Sequence, residues 1–129
     1  MPKQFINPST LSTPTGYSHV VKTGTLAFIA GQVAVEKGGN VVGTGDIEAQ
    51  ARQVFANLDT AVKSAGGRKQ DIVSTTVYLT NRDHLTAYRK AREVYFGSSN
   101  LPTSTLLFIS GLARPELLME VEAIAVIEG

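Results

Sequence analysis

The stretch from Leu117 to Ile127 constrains this chain most, because it alternates with a period of two and is nevertheless apolar on both sides. Leu117, Met119, Val121, Ala123, Ala125 and Ile127 make one unbroken apolar face, suited to packing beneath helices. The opposite face carries Leu118, Glu120, Glu122, Ile124 and Val126. A strand with one solvated face would alternate to polar residues throughout. Here two carboxylates sit beside β-branched hydrophobes, and the strand containing Leu106 and Phe108 is also apolar on both faces. Both sides of the sheet built from these strands therefore need cover.

Two helices supply one side. Asp46 is placed to cap the first, in which Ile47, Ala51, Val54, Phe55, Leu58, Ala61 and Val62 recur at helical spacing before Gly66-Gly67 ends it. Asp83 is the expected cap of the second, which carries Leu85, Tyr88, Ala91 and Tyr95 on one stripe and stops at Gly97. The remaining β-rich runs are His19–Lys22 and Thr25–Ala30 around a Thr23-Gly24 turn, a smaller hairpin of Val33–Val35 with Val41-Val42, and Ile72–Leu79. In Ile72–Leu79 the alternation puts Val73, Val77 and Leu79 on one face and Ser74, Thr76 and Tyr78 on the other. Thr103–Ser110 and Leu117–Ile127 close the chain. The first fifteen residues, rich in Pro, Ser and Thr, read as an extended loop. The order β-β-(β)-α-β-α-β-β describes a single α+β domain over residues 1–129, a mixed sheet with two helices on one face. Another copy of the chain is the simplest cover for the other face; the alternative is the N-terminal segment folded across it.

At 129 residues with a formal net charge of +1, the chain has no large field to draw it to nucleic acid or to an anionic membrane. It contains no cysteine, which removes thiolate chemistry and Cys-based metal sites. Met1 to Phe5 has no secretory pattern, and no run approaches the roughly 18 apolar residues of a membrane helix. A cytoplasmic protein is expected. His19 and His84 lack a partner at ligand spacing, so no metal site is expected. Gly38-Gly39 and Gly43-Thr44-Gly45 read as turns rather than phosphate loops. Arg82, Arg89, Lys90 and Arg92 give the second helix a basic flank without the aromatics of an RNA motif. Glu120 and Glu122 point the same way from one strand beside apolar surface, so either can serve as a general acid or base. A solvated strand end, or an ion pair with a nearby cation, is the other reading of that pair.

In chain order, Gly16-Tyr17-Ser18-His19, Phe28-Ile29-Ala30-Gly31-Gln32, Gln50 through Asn57-Leu58, Ala65-Gly66-Gly67 and Asp71-Ile72-Val73 form a recognisable series. Val77-Tyr78-Leu79, Tyr95-Phe96, Leu101-Pro102 and Met119-Glu120-Val121-Glu122-Ala123 continue it. Together they resemble the reactive-intermediate deaminase (Rid) family, also called YjgF-like or liver perchloric-acid-soluble-protein (L-PSP)-like. The resemblance implies a chorismate-mutase-like fold, a homotrimer around a central barrel, and small-molecule pockets in the clefts between subunits. It further implies hydrolysis of reactive enamines and imines, such as 2-aminoacrylate, to a 2-keto acid and ammonia, with no metal or organic cofactor.

Matched by position, Glu120 takes the place of the family glutamate that positions the attacking water, Tyr17 that of a pocket tyrosine, and Gly31 that of the glycine after the second strand. The family's carboxylate-gripping arginine has no counterpart. Where deaminases read Pro-Ala-Arg-Ser, this chain reads Pro102-Thr103-Ser104-Thr105, with Ser104 in the arginine's place and Thr103 before it. Arg89 replaces an asparagine usual on the second helix. The expected function is an imine or enamine hydrolase whose substrate lacks the usual 2-imino carboxylate or binds it differently. The alternatives are a non-catalytic metabolite-binding trimer and a ribonuclease, the last disfavoured by the near-neutral charge. No nucleic-acid or membrane partner is expected.

Overall fold

In the computed structural model, which describes residues 2–128, the two-sided strand at the C-terminus lies in the interior of a six-stranded sheet. The strands are β1 (Lys3–Ile6), β2 (Val20–Thr23), β3 (Leu26–Val33), β4 (Ile72–Leu79), β5 (Thr103–Phe108) and β6 (Met119–Val126). Their spatial order is β1-β2-β3-β6-β4-β5. β6 runs antiparallel to both β3 and β4, and β4 and β5 form a parallel pair. Helices α1 (Ile47–Ser64) and α2 (Leu85–Phe96) complete an α+β fold.

The local chemistry of α1 explains its bounds. The Asp46 side chain accepts a hydrogen bond from the Ala49 amide at 3.1 Å. At the other end Gly66 adopts φ 86°, and the amides of Gly66 and Gly67 return to the carbonyls of Lys63 and Val62. This is a Schellman closure, which a side chain at Gly66 would strain. Val54, Leu58, Ala61 and Val62 are fully buried against the sheet, so truncating Leu58 to alanine would cost about 2–5 kcal/mol. Phe55 joins the helices, its ring centroid 5.2 Å from that of Tyr95 and 6.3 Å from that of Tyr88.

Four expectations from sequence need correction. Lys3–Ile6 is not loop: it pairs antiparallel with β2 and lengthens the sheet edge. The smaller hairpin shrinks to one bridge between Val35 and Val41, because β3 itself continues to Val33. In β4 the register against β6 shifts between Ile72 and Ser74; this bulge leaves Val73 exposed and Ile72, Thr75, Val77 and Leu79 buried. Asp83 does not cap α2. The Asn81 side chain instead accepts from the Asp83 amide and opens a single 3-10 turn, Arg82–His84, before the helix begins.

The pairing register also identifies what the helices leave uncovered. One row crosses all six strands: Phe5, Val21, Phe28, Ile124, Ser74 and Thr103. Beside it run Glu122, Thr76 and Thr105, and then Val33, Glu120, Tyr78 and Leu107. The N-terminal strand extends this face and does not fold over it. Phe28 remains 45% exposed and Leu107 44%, so a broad face of mixed apolar and polar residues stands open on the side away from the helices.

Candidate active site on the open sheet face

Two buried polar side chains of α1 fix the strands that carry the candidate residues. Gln50 donates to the carbonyls of Gly43 and Glu116 and accepts from the Leu118 amide at 2.9 Å, which anchors the approach to β6. Asn57 donates to the carbonyls of Val33 and Val35 at 2.9 and 3.0 Å and holds the end of β3. Such satisfied buried amides fix position as well as stability.

Between these anchors β3 bulges, its register against β6 shifting between Ile29 and Gln32. Gly31 lies in the bulge directly under Glu120. A Cβ at Gly31 would sit 2.5 Å from Cδ and 2.8 Å from Cγ of that side chain, so any larger residue there would push the Glu120 carboxyl out of this position. Glu120 is partly buried, flanked across the sheet by Val33 and Tyr78. Burial raises its carboxyl above the usual range, and the like charge of Glu122 adds to the effect.

The two glutamates, alike in sequence spacing, differ in their surroundings. Glu122 accepts a 2.7 Å hydrogen bond from the Tyr78 hydroxyl, and this bond, ahead of burial, pushes the phenol's pKa upward. No side chain among the described residues hydrogen-bonds Glu120. Glu122 is committed to Tyr78, whereas Glu120 has no such bond among the described residues.

A second network ties the loop before β2 to the bulge. His19 is buried, with Nε2 2.8 Å from the Ser12 carbonyl. A carbonyl only accepts, so Nε2 carries the proton and Nδ1 accepts from Gln32 Nε2 at 3.2 Å. Gln32 also donates to the Ala30 carbonyl. The Tyr17 ring stands edge-on to His19, centroids 5.6 Å apart, and is half exposed. Tyr17 is thus linked through His19 and Gln32 to the strand that bears Gly31. His19 and Gln32 received no role from sequence reasoning; the available signal was two hydrogen-bonding side chains within otherwise apolar β-rich runs.

Of the candidates on β5, only Thr103 shares the open face with Glu120. Ser104 pairs with Thr75, which pairs with Ala123, so it belongs to the sheet face opposite Glu120, exposed on the edge strand. The Thr103 hydroxyl donates to the Val73 carbonyl at 3.2 Å. Arg89 is exposed on α2 and engages no acid among the described residues. Arg114 is committed elsewhere, donating to the Gly39 carbonyl at 2.7 Å. The neighbours of Arg89 in the basic flank are partly spent as well: the Arg82 guanidinium lies 4.6 Å from the Phe108 ring and that of Arg92 5.6 Å from Tyr88. One chain therefore brings Gly31 and Glu120 together, links Tyr17 only indirectly to the strand that bears Gly31, and does not bring Ser104 to the same face. Among the described residues no three His, Asp or Glu side chains cluster as a metal site, and no helix is long and apolar enough to cross a membrane.

Comparison with known proteins agrees with this architecture. The Endoribonuclease L-PSP family matches residues 8–127. A RutC family protein of Pyrococcus horikoshii is 35% identical over 125 residues, spanning 95% of this chain and 97% of that protein. A 2-iminobutanoate/2-iminopropanoate deaminase of Dermatophagoides farinae is 27% identical over 128 residues, 98% of each chain. The crystal structure of the conserved Rid family protein YyfA of Yersinia pestis superposes with a TM-score of 0.91 at 29% identity, covering 98% of this chain and all of that one. With a family match over nearly its whole length and the same six-stranded α+β fold, this chain belongs to the Rid (YjgF/L-PSP) family.

Proposed function

We propose that this protein is a cofactor-free imine or enamine deaminase, acting as a cytoplasmic homotrimer with a small-molecule pocket at each subunit boundary. The observation that carries the reading is the Glu120 carboxyl: partly buried, raised in pKa, without a hydrogen-bond partner among the described residues, and held over Gly31. A carboxyl raised above the usual range and free of partners suits the role of a general base. In the proposed step Glu120 accepts a proton from water as the water oxygen bonds to the imine carbon. The nitrogen, carrying a proton from solvent, takes the electron pair of the C=N π bond, which leaves a carbinolamine. Return of the proton from Glu120 to nitrogen and loss of the hydroxyl proton to solvent then let the C–N bond break, giving a carbonyl and ammonia.

The open face of mixed apolar and polar residues supports assembly, because Phe5, Leu26, Phe28 and Leu107 are all substantially exposed in one chain. The relative named as a 2-iminobutanoate/2-iminopropanoate deaminase supports the reaction class. Ser104 argues that the substrate is not gripped as a carboxylate there, since a hydroxyl offers one neutral hydrogen bond where a guanidinium offers two charged ones. That same residue favours a second reading, a trimer that binds a metabolite without turning it over. A near-neutral charge gives no support to RNA cleavage.

Ammonia release from imines generated by an amino-acid oxidase tests the proposal. Turnover by the wild-type chain that disappears in a correctly assembled Glu120→Gln variant is the expected result. Absence of turnover across imines with and without a carboxylate would leave the binding reading in its place.

A further inference from the structure

A second concavity, of about 640 Å³, lies between α1 and α2 on the solvent side of the helix layer, across the core from Glu120. Ligand sites commonly occupy roughly 300–1,000 Å³ with apolar linings and a few polar anchors. Its floor is apolar, formed by Phe55, Ala56, Ala91 and Tyr95. Val94 on its rim is 80% exposed, a hydrophobe that the core does not use. Its charges are strongly biased: five basic side chains face two acidic ones, in a chain whose total is only +1.

Of the two acids, only Glu48 makes no ion pair among the described residues. Asp59 is already engaged by Lys63 at 2.8 Å and by the Tyr95 hydroxyl at 2.8 Å. Lys69 lies over the Tyr95 ring, 5.4 Å from its centroid, which leaves a cation beside an aromatic wall. Arg52 on α1, Lys90 on α2 and Arg68 beyond α1 make no ion pair among the described residues, and all three are exposed. Three uncommitted cations thus converge from separate elements on an apolar floor.

We infer that the groove between α1 and α2 is a second binding site, specific for a small amphiphilic anion with an aromatic or branched apolar body and one carboxylate, sulfonate or phosphate group. The apolar body covers Ala56, Ala91 and Val94, and the anion meets Arg52, Arg68 and Lys90. Because the groove opens on the side opposite the uncovered sheet face, assembly through that face leaves it accessible. The inference does not depend on the deaminase reading.

The aromatic sulfonate 1-anilinonaphthalene-8-sulfonate and its uncharged analogue N-phenyl-1-naphthylamine are suitable probes for the full-length protein. We expect saturable binding of the sulfonate at one site per chain, with the neutral arene at least about ten-fold weaker, the scale of a lost charge-assisted contact. The double variant Arg52→Glu/Lys90→Glu should weaken the sulfonate by a similar factor. Ala56→Trp, which fills the floor without altering charge, should also abolish saturable binding. Circular dichroism and oligomeric state should match wild type in both, and Glu120→Gln should bind as wild type does. Equal affinity for the two probes, insensitivity to either groove variant, or loss of binding in Glu120→Gln would overturn the inference. Displacement of the sulfonate by an acidic amphipathic peptide, with none by an aryl carboxylate, would replace the small ligand with a protein partner and also overturn it.

Discussion

Glu120 and Glu122 present the same side chain two residues apart on the same strand face, and sequence spacing treats them alike. The residue that separates them, Tyr78, is 44 positions away and meets Glu122 only because β4 and β6 are neighbours. Family resemblance only ranks Glu120 ahead of Glu122; the bond that separates them was not legible, since pairing register is not written in either strand alone. The difference has a pH consequence. A raised folded-state pKa means that the native protein binds a proton more readily at Glu120 than the unfolded chain does. Its ionised form therefore opposes folding at neutral pH, and acidification through the folded pKa relieves that penalty. Glu120→Gln should accordingly retain or raise the melting temperature at pH 7 while turnover falls by about a hundred-fold or more, within the range for loss of a general base. If Glu120 acts as the base, the acid limb of kcat/KM should lie above the pH of an ordinary carboxyl. Glu122→Gln, by removing the like charge, should move that limb to lower pH with kcat less affected; a full pH–rate profile of both variants checks each point.

At the scale of elements, α1 was readable because several signals agreed: a capping Asp46, an apolar stripe and a Gly-Gly stop. The misreadings fell where one signal was weak. β1 is a four-residue edge strand whose first three residues are exposed, so it carries no alternation to detect. The bulges in β3 and β4 exist only relative to β6, and the one in β4 expels Val73 from the face its parity assigned. Asp83 has the right chemistry for a cap, but Asn81 two residues earlier takes up the free amide first. The β3 bulge also sets a prediction. Gln32→Ala removes the donor to His19 Nδ1 and leaves a buried acceptor unmatched, at a cost of about 1–3 kcal/mol. If that link holds Tyr17 in place, KM should rise further than this loss of stability accounts for. Gln32→Glu, which keeps the length but removes the donor, should not rescue it. Denaturant unfolding beside steady-state kinetics distinguishes the two effects.

The whole molecule poses the question of whether Ser104 and Glu120 can serve one ligand. The two-sided character of the last strands was plain from sequence and predicted an unpartnered face; which residues oppose one another across it was not. The row through Phe28 and Ile124 places Ile124 near the middle of that open face. Ile124→Asp should therefore reduce the assembly to a chain of 13.7 kDa by light scattering, where the wild type is expected at three times that mass. Ser104 and Glu120 belong to opposite faces of one sheet, so a substrate that touches both must lie between two copies.

That geometry gives the Ser104 prediction its sharpest form. Ser104→Arg, in a well-assembled protein, should raise turnover of small 2-imino acids by about ten- to a hundred-fold, the scale of a charge-assisted pair. The same substitution on a Glu120→Gln background should be inactive alone. Co-assembled with wild-type chains, however, it should regain carboxylate-dependent turnover, because the new guanidinium of one copy then faces the intact Glu120 of the next. Measured as ammonia released from 2-imino acids against matched imines lacking a carboxylate, recovery in the mixture supports a site shared between subunits. No recovery, with heteromers confirmed by mass spectrometry, would place the carboxylate contact on some other residue and remove Ser104 from the site.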